Sequence, residues 1–222
     1  MSFRESKGNM YPWVTHTWNV IKGKCPHDCS YCFMKRFPLG ELRFDEKELK
    51  RDAKELEKMG PGNFIFVGSS CDMWAESIPG EWIAEWLGIC YRYPENKYLF
   101  QSKNPERFII AQDWFSPNMQ LATTIETNRD YKISNAPSVF VRASTMSRFI
   151  NNVITIEPIL DFDLKGMINL IQFANPKWVN IGADSKRHNL PEPSWDKVQD
   201  LISALKHFTE VKEKSNLSRL KK

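Results

Sequence analysis

Six short runs rich in β-branched and aromatic residues alternate with longer amphipathic stretches, and that alternation constrains the fold more than any other feature of the chain. The runs lie at Tyr11–Gly23 (with Val14-Thr15-His16-Thr17-Trp18-Asn19-Val20 inside it), Phe64–Val67, Tyr98–Lys103, Met119–Thr127, Val153–Pro158 and Lys177–Asp184. Their composition predicts strands. Phe64-Ile65-Phe66-Val67 is apolar without interruption, as suits a strand covered on both faces. The intervening stretches predict helices at Asp45–Met59, Pro79–Tyr91, Pro105–Gln112, Phe140–Ile150, Leu164–Ala174 and Pro193–Glu210. In the first of these Asp45 serves as cap, Leu49, Ala53, Leu56 and Met59 share one face, and Gly60-Pro61-Gly62 stops it. Strands joined by helices pair in parallel, because each crossover returns to the same end of the sheet. A right-handed series of this kind curls toward a barrel. A full eight-fold barrel needs about 250 residues, so six repeats fit the 222 residues here. The expectation is an α/β fold, a partial (β/α)6 TIM-like barrel with parallel strands and outer helices. Residues 1–12 would form an N-terminal extension, 13–210 the barrel, and 211–222 a frayed, basic polar tail.

Hydrophobic residues make up 41% of the chain and charged residues 26%, enough apolar material for one sizeable core. No run approaches the ~18 apolar residues of a membrane span, and the polar start lacks the apolar segment of a secretory signal. A cytoplasmic protein with no membrane partner is expected. The net charge of +4 permits a nucleic-acid or phosphate partner without demanding one. Eight Trp residues offer large stacking surfaces, although a core role is the commoner use.

Five cysteines are present, and three of them crowd into Lys24-Cys25-Pro26-His27-Asp28-Cys29-Ser30-Tyr31-Cys32-Phe33. In a reducing compartment an odd count with such clustering favours metal over disulfides. Sulfur is a soft ligand, so three thiolates on one loop select zinc, copper(I) or an iron–sulfur cluster and leave a fourth coordination position open. Zinc could take His27 as its fourth ligand. Against this, His27 sits where so tight a loop can hardly turn all four side chains inward, and zinc sites usually draw a second ligand pair from far along the chain. Cys71 and Cys90 stand singly.

The C-x3-C-x2-C spacing, with aromatic Tyr31 before the last Cys, resembles the signature of the radical S-adenosylmethionine (radical SAM) superfamily. That resemblance implies a 4Fe-4S cluster held by Cys25, Cys29 and Cys32, with S-adenosylmethionine on the fourth iron. It also implies a partial barrel. A one-electron reductant of flavodoxin or ferredoxin type would drive reductive cleavage to a 5′-deoxyadenosyl radical that abstracts hydrogen from a substrate. Further pieces resemble a phage-associated branch of small radical-SAM-like proteins: Thr17-Trp18-Asn19, Ser69-Ser70-Cys71-Asp72, Gln101-Ser102-Lys103-Asn104-Pro105-Glu106-Arg107, Thr124-Ile125-Glu126, Glu157-Pro158-Ile159 and Ile181-Gly182-Ala183-Asp184.

In parallel barrels active sites form at the C-terminal strand ends, which nominates the polar residues there. By the resemblance, Tyr31 and Phe33 would flank the adenine, and Thr124 and Glu126 would hold the ribose or the methionine amine. Ser102 and Lys103 would meet a carboxylate or a phosphate. Ser69, Ser70, Glu157 and Asp184 complete the candidate cofactor set. Cys71 and Asp72 are the candidate catalytic residues, Cys71 as donor of a hydrogen atom to a product radical. Each carboxylate could instead cap a helix or pair with Lys or Arg. Cys90, on an apolar helix face, is expected in the core. A nucleotide or nucleic-acid base is the candidate substrate, with a peptide as its competitor. The reading from a different class is a non-catalytic iron–sulfur or zinc module for redox sensing or nucleic-acid binding.

Overall fold

The computed structural model describes residues 3–6, 11–186 and 188–221. Among the described residues eight strands follow one another in chain order in a mostly parallel sheet: β1 (Phe3–Glu5), β2 (His16–Trp18), β3 (Phe64–Val67), β4 (Lys97–Gln101), β5 (Met119–Thr124), β6 (Asn152–Ile156), β7 (Trp178–Ile181) and β8 (Glu210–Glu213). The helices are α1 (Glu46–Met59), α2 (Gly80–Arg92), α3 (Glu106–Ile109), α4 (Val139–Met146), α5 (Leu164–Ala174) and α6 (Trp195–Leu205). The α/β class and the partial-barrel alternation hold. All six expected strand regions are present, and β1 and β8 are added to them. No described helix is long and apolar enough to cross a membrane.

The chain divides into two compact units. The first comprises Met1–His27, Met34–Ser102 and Arg107–Gln120. Its core is aromatic: Trp74 meets Trp86 edge-on at 5.1 Å and Phe108 at 4.9 Å, and Trp86 lies 5.3 Å from Phe100. Trp74 and Trp86 therefore serve packing here. Strand β1 lies within residues 1–12, the expected N-terminal extension. It pairs antiparallel with β2, Phe3 opposite Trp18, and the two rings stack at 4.9 Å. Trp18 is fully buried and donates its indole N–H to Asp52 of α1 at 2.9 Å. Helix α1 starts where expected, because the Asp45 carboxylate accepts from the N–H groups of Lys47 and Glu48. Cys90 is fully buried on α2, as its apolar face predicts.

The second unit comprises Asp28–Phe33, Lys103–Glu106 and Leu121–Lys222. Strands β6, β7 and β8 form a parallel ladder. Helix α4 stops at Met146, short of the expected Ile150, and the buried Asn152 accounts for the turn that follows. Its Nδ2 donates to the carbonyls of Met146, Phe149 and Ala174, each at 2.9 Å, satisfying groups that helix ends leave open. Helix α6 stops at Leu205, and the next segment becomes β8, with Val211 opposite Val179. A 3-10 turn over Ser215–Leu220 then buries Leu217 and Leu220. The C-terminal stretch is thus built into the unit, where its polar composition predicts fraying.

Candidate functional site

In the first unit the site gathers where β3 ends. Gly68 has φ of 83°, and a Cβ there would meet the Met73 side chain at 2.7 Å, so the tight turn after the strand requires glycine. The turn delivers Ser69 and Ser70 to Asn19, whose Oδ1 accepts from Ser69 Oγ at 3.2 Å and from the Ser70 N–H at 2.9 Å. Asn19 therefore fixes this turn. The Thr17-Trp18-Asn19 motif was visible in sequence, but this role was not. Asp72 is a hub. Its Oδ2 accepts from Ser102 Oγ at 3.0 Å and lies 2.8 Å from His27 Nε2, and its Oδ1 accepts the Trp74 N–H at 2.9 Å. Asp72, expected to be catalytic, and Ser102, expected to bind cofactor, are engaged with each other. Cys71 is buried and hydrogen-bonds Cys25. That bond, with help from the Asp72 and His27 N–H groups, brings the Cys25 thiol down to about 6 against the opposing effects of burial and the Asp72 charge.

In the second unit Asp28 takes a left-handed φ of 44°, and the loop closes with the Cys32 N–H donating to the Cys29 carbonyl at 3.1 Å. The Ser30 N–H donates to the Ile133 carbonyl at 2.8 Å. Tyr31 turns its hydroxyl to Glu126, donating to Oε1, and Lys103 Nζ donates to both the Tyr31 oxygen and Glu126 Oε1. Arg142 closes the set, donating at 2.9 Å to Glu126 Oε2 and at 2.9 Å to the Thr124 carbonyl. Burial works against ionisation of Glu126, yet the Lys103 and Arg142 charges and the hydrogen bonds hold its carboxyl down to about 2. Burial, then the Glu126 charge, push the Tyr31 phenol well above its usual range. Phe33 opens a 3-10 turn over Phe33–Arg36 and is exposed.

The remaining strand-end carboxylates also have partners within the chain. Glu157 follows β6 and accepts from Lys214 Nζ at 2.7 and 2.8 Å. Burial nevertheless pushes its carboxyl upward, against the pull of Lys214. A Cβ on Gly182 would come within 3.0 Å of the Glu157 carboxyl and of Lys214, so this close approach depends on glycine. Asp184 accepts from the N–H groups of Lys186 and His188, and His188 Nδ1 lies 2.8 Å from its Oδ1. Burial opposes its ionisation, but these contacts hold the Asp184 carboxyl below its usual range. Lys214, Arg142 and His188 are the residues missed in sequence, and Asn19 was seen without its role. Lys and Arg at such positions read as ordinary surface charge until the fold places them.

None of Cys25, Cys29, Cys32, Cys71 and Cys90 lies in a disulfide, and Cys25, Cys29 and Cys32 are each partly exposed. Cys25 belongs to the first unit and Cys29 and Cys32 to the second. Among the described residues no group of three or more His, Cys, Asp or Glu side chains is arranged to hold a metal ion. The chemistry of the donor set suits an iron–sulfur cluster: three soft sulfurs on one loop, outside any disulfide, one of them shifted toward the thiolate. His27 holds Asp72 through Nε2, so Nδ1 is the ring nitrogen that could face zinc. A groove between α1 and α2, lined by Leu49, Ala53, Gly88 and Ile89, contains none of the candidate residues.

The fold has close counterparts among solved structures. Spore photoproduct lyase, as a cysteine-to-serine mutant, superposes with a TM-score of 0.72 at 10% identity, covering 95% of this chain and 78% of that one. A tyrosine-to-phenylalanine mutant of the same lyase gives 0.70 at 9% identity, covering 93% and 78%. A third form, solved with bound AdoMet and dinucleoside spore photoproduct, gives 0.61 at 10% identity, covering 91% and 64%. Among curated proteins none matches the sequence. A family model described as protein of unknown function (DUF5131) matches residues 9–206, and the chain belongs to that family.

Proposed function

We propose that the protein is a radical SAM enzyme acting on a nucleotide or nucleic-acid base. The observation that carries this reading is a C-x3-C-x2-C loop, Cys25 to Cys32, following β2 in a fold shared with a lyase solved with AdoMet and a dinucleoside lesion. Cys25, Cys29 and Cys32 would hold a 4Fe-4S cluster whose fourth iron takes S-adenosylmethionine. When bound and reduced by a small flavodoxin- or ferredoxin-type carrier, this pair supplies a 5′-deoxyadenosyl radical for hydrogen abstraction. The chain's own residues bind, orient and shield. Asn19 fixes the Ser69–Ser70 turn, Asp72 joins His27 to Ser102, and Cys71 would donate a hydrogen atom to a product radical, leaving a thiyl radical that one electron from the same carrier and one proton return to the thiol. Thr124 and Phe33 would contact the cofactor.

Anaerobic reconstitution with iron and sulfide tests the reading. Reduced wild-type protein should convert S-adenosylmethionine to 5′-deoxyadenosine, and Cys29→Ala should not. Deuterium transfer between 5′-deoxyadenosine and candidate nucleosides, DNA or peptides then identifies the substrate class. Zinc without iron in the purified protein, or a reduced cluster that leaves S-adenosylmethionine intact, would instead establish a non-catalytic module.

A further inference from the structure

Tyr31 stands between two of the cysteines, Cys29 and Cys32, and its hydroxyl is held by Lys103 and Glu126, the latter in turn held by Arg142, all in the second unit. Lys103 follows β4, Glu126 follows β5, and Arg142 lies on α4. Lys103 Nζ also sits 4.5 Å from the centroid of the Tyr31 ring. The Glu126 side chain is 1% exposed, Arg142 4% and Lys103 11%. Two cations and one anion make a net charge of +1 in this set. At such burial it is poorly screened by solvent.

We infer that Tyr31, Lys103, Glu126 and Arg142 form a network that positions the Cys29–Cys32 segment and sets the reduction potential of the cluster it carries. This rests on the proposed function, and it makes Lys103 and Glu126 positioning residues in place of ligands to S-adenosylmethionine. The physical reason is charge. Taking one electron from the reductant adds one negative charge to the cluster; a buried cation nearby stabilises that state and a buried anion opposes it. Glu126 already has both carboxylate oxygens occupied by the chain's own donors.

Redox titration of reconstituted protein, followed by electron paramagnetic resonance, tests the inference. Lys103→Met should lower the midpoint potential, Glu126→Gln should raise it, and Lys103→Arg should stay near wild type. Tyr31→Phe should lower the iron bound per chain, because the loop loses its hydroxyl anchor. Thermal unfolding of each apo variant checks that it folds, and Lys103→Arg keeps the comparison available should Lys103→Met fail to do so. Opposite shifts from two substitutions in one network are not expected of a purely structural role. If both variants shift the same way, or neither shifts while affinity for S-adenosylmethionine collapses, the inference is overturned and the two side chains are cofactor ligands. A wild-type protein that holds no reducible cluster would overturn the proposed function as well. A reducible wild-type cluster with unmoved variants overturns the inference alone.

Discussion

His27 Nε2 lies 2.8 Å from Asp72 Oδ2, and the two side chains are only 6% and 9% exposed. The histidine of the cysteine loop thus holds an acid of the chain through one ring nitrogen. Asp72→Ala would strand His27, Ser102 Oγ and the Trp74 N–H together. Removing an acceptor shared by several buried donors should cost roughly 2–4 kcal/mol, measured by urea unfolding of the apo protein. His27→Gln should leave iron content unchanged. A loss of bound metal in that variant would restore the zinc reading.

Phe3 and Trp18 tie the first residues of the chain to β2. Phe3→Ala should destabilise by roughly 2–4 kcal/mol, since a buried ring is lost and its space stays partly empty. Trp18→Phe should cost about 1–3 kcal/mol by leaving the buried Asp52 carboxylate short of a donor. Thermal melts read both, and a change within error for Phe3→Ala would mean that β1 is only loosely attached.

Which parts of this fold were legible follows from burial. Strands β3 to β7 announce themselves because their residues are apolar and largely covered, as in Phe64–Val67 and Asn152–Ile156. The sequences Phe3-Arg4-Glu5 and Glu210-Val211-Lys212-Glu213 are short and charged, as outer strands commonly are, so no apolar run betrays them. The cysteine loop was legible from spacing alone. The partners of Glu126, Glu157 and Asp184 were not, because Arg142, Lys214 and His188 lie 16, 57 and 4 residues away, and only the fold says which side chain reaches which acid.

Glu126 ties acid stability to the site. Its folded carboxyl sits near 2, below the ordinary 4.5. A depressed acid stabilises the folded state above its unfolded value, and that stability is lost as pH falls through the folded one. The loss therefore falls between about pH 4.5 and 2, and is of order 3 kcal/mol. Glu126→Gln should be less stable than wild type at pH 7, and its stability should change less across that window. Urea midpoints at pH 7, 4 and 2.5 check this.

Cys71 is buried beside Cys25. As the hydrogen-atom donor, it should be dispensable for cleavage of S-adenosylmethionine and needed for finishing the substrate. Cys71→Ala should retain 5′-deoxyadenosine formation within a few-fold while product falls by about tenfold or more. Product formation at the wild-type rate would remove Cys71 from the chemistry and leave it a packing residue.

Lys214 and Glu157 give a stability prediction of opposite pH sense. Burial raises the Glu157 carboxyl even with Lys214 bidentate on it. An acid with a raised folded value is stabilising only while protonated, so its contribution falls as pH rises from the unfolded value through the folded one. Removing the cation moves the folded value higher still and extends that window upward. Lys214→Met should therefore lose more stability at pH 8 than at pH 5, with a cost of roughly 3–5 kcal/mol at the upper end. Adding Glu157→Gln to Lys214→Met should abolish the pH difference, since no buried charge is left to be uncovered. Paired urea titrations of both variants at pH 5 and 8 decide it: equal losses for Lys214→Met at the two values would mean that solvent reaches Glu157 once Lys214 is gone.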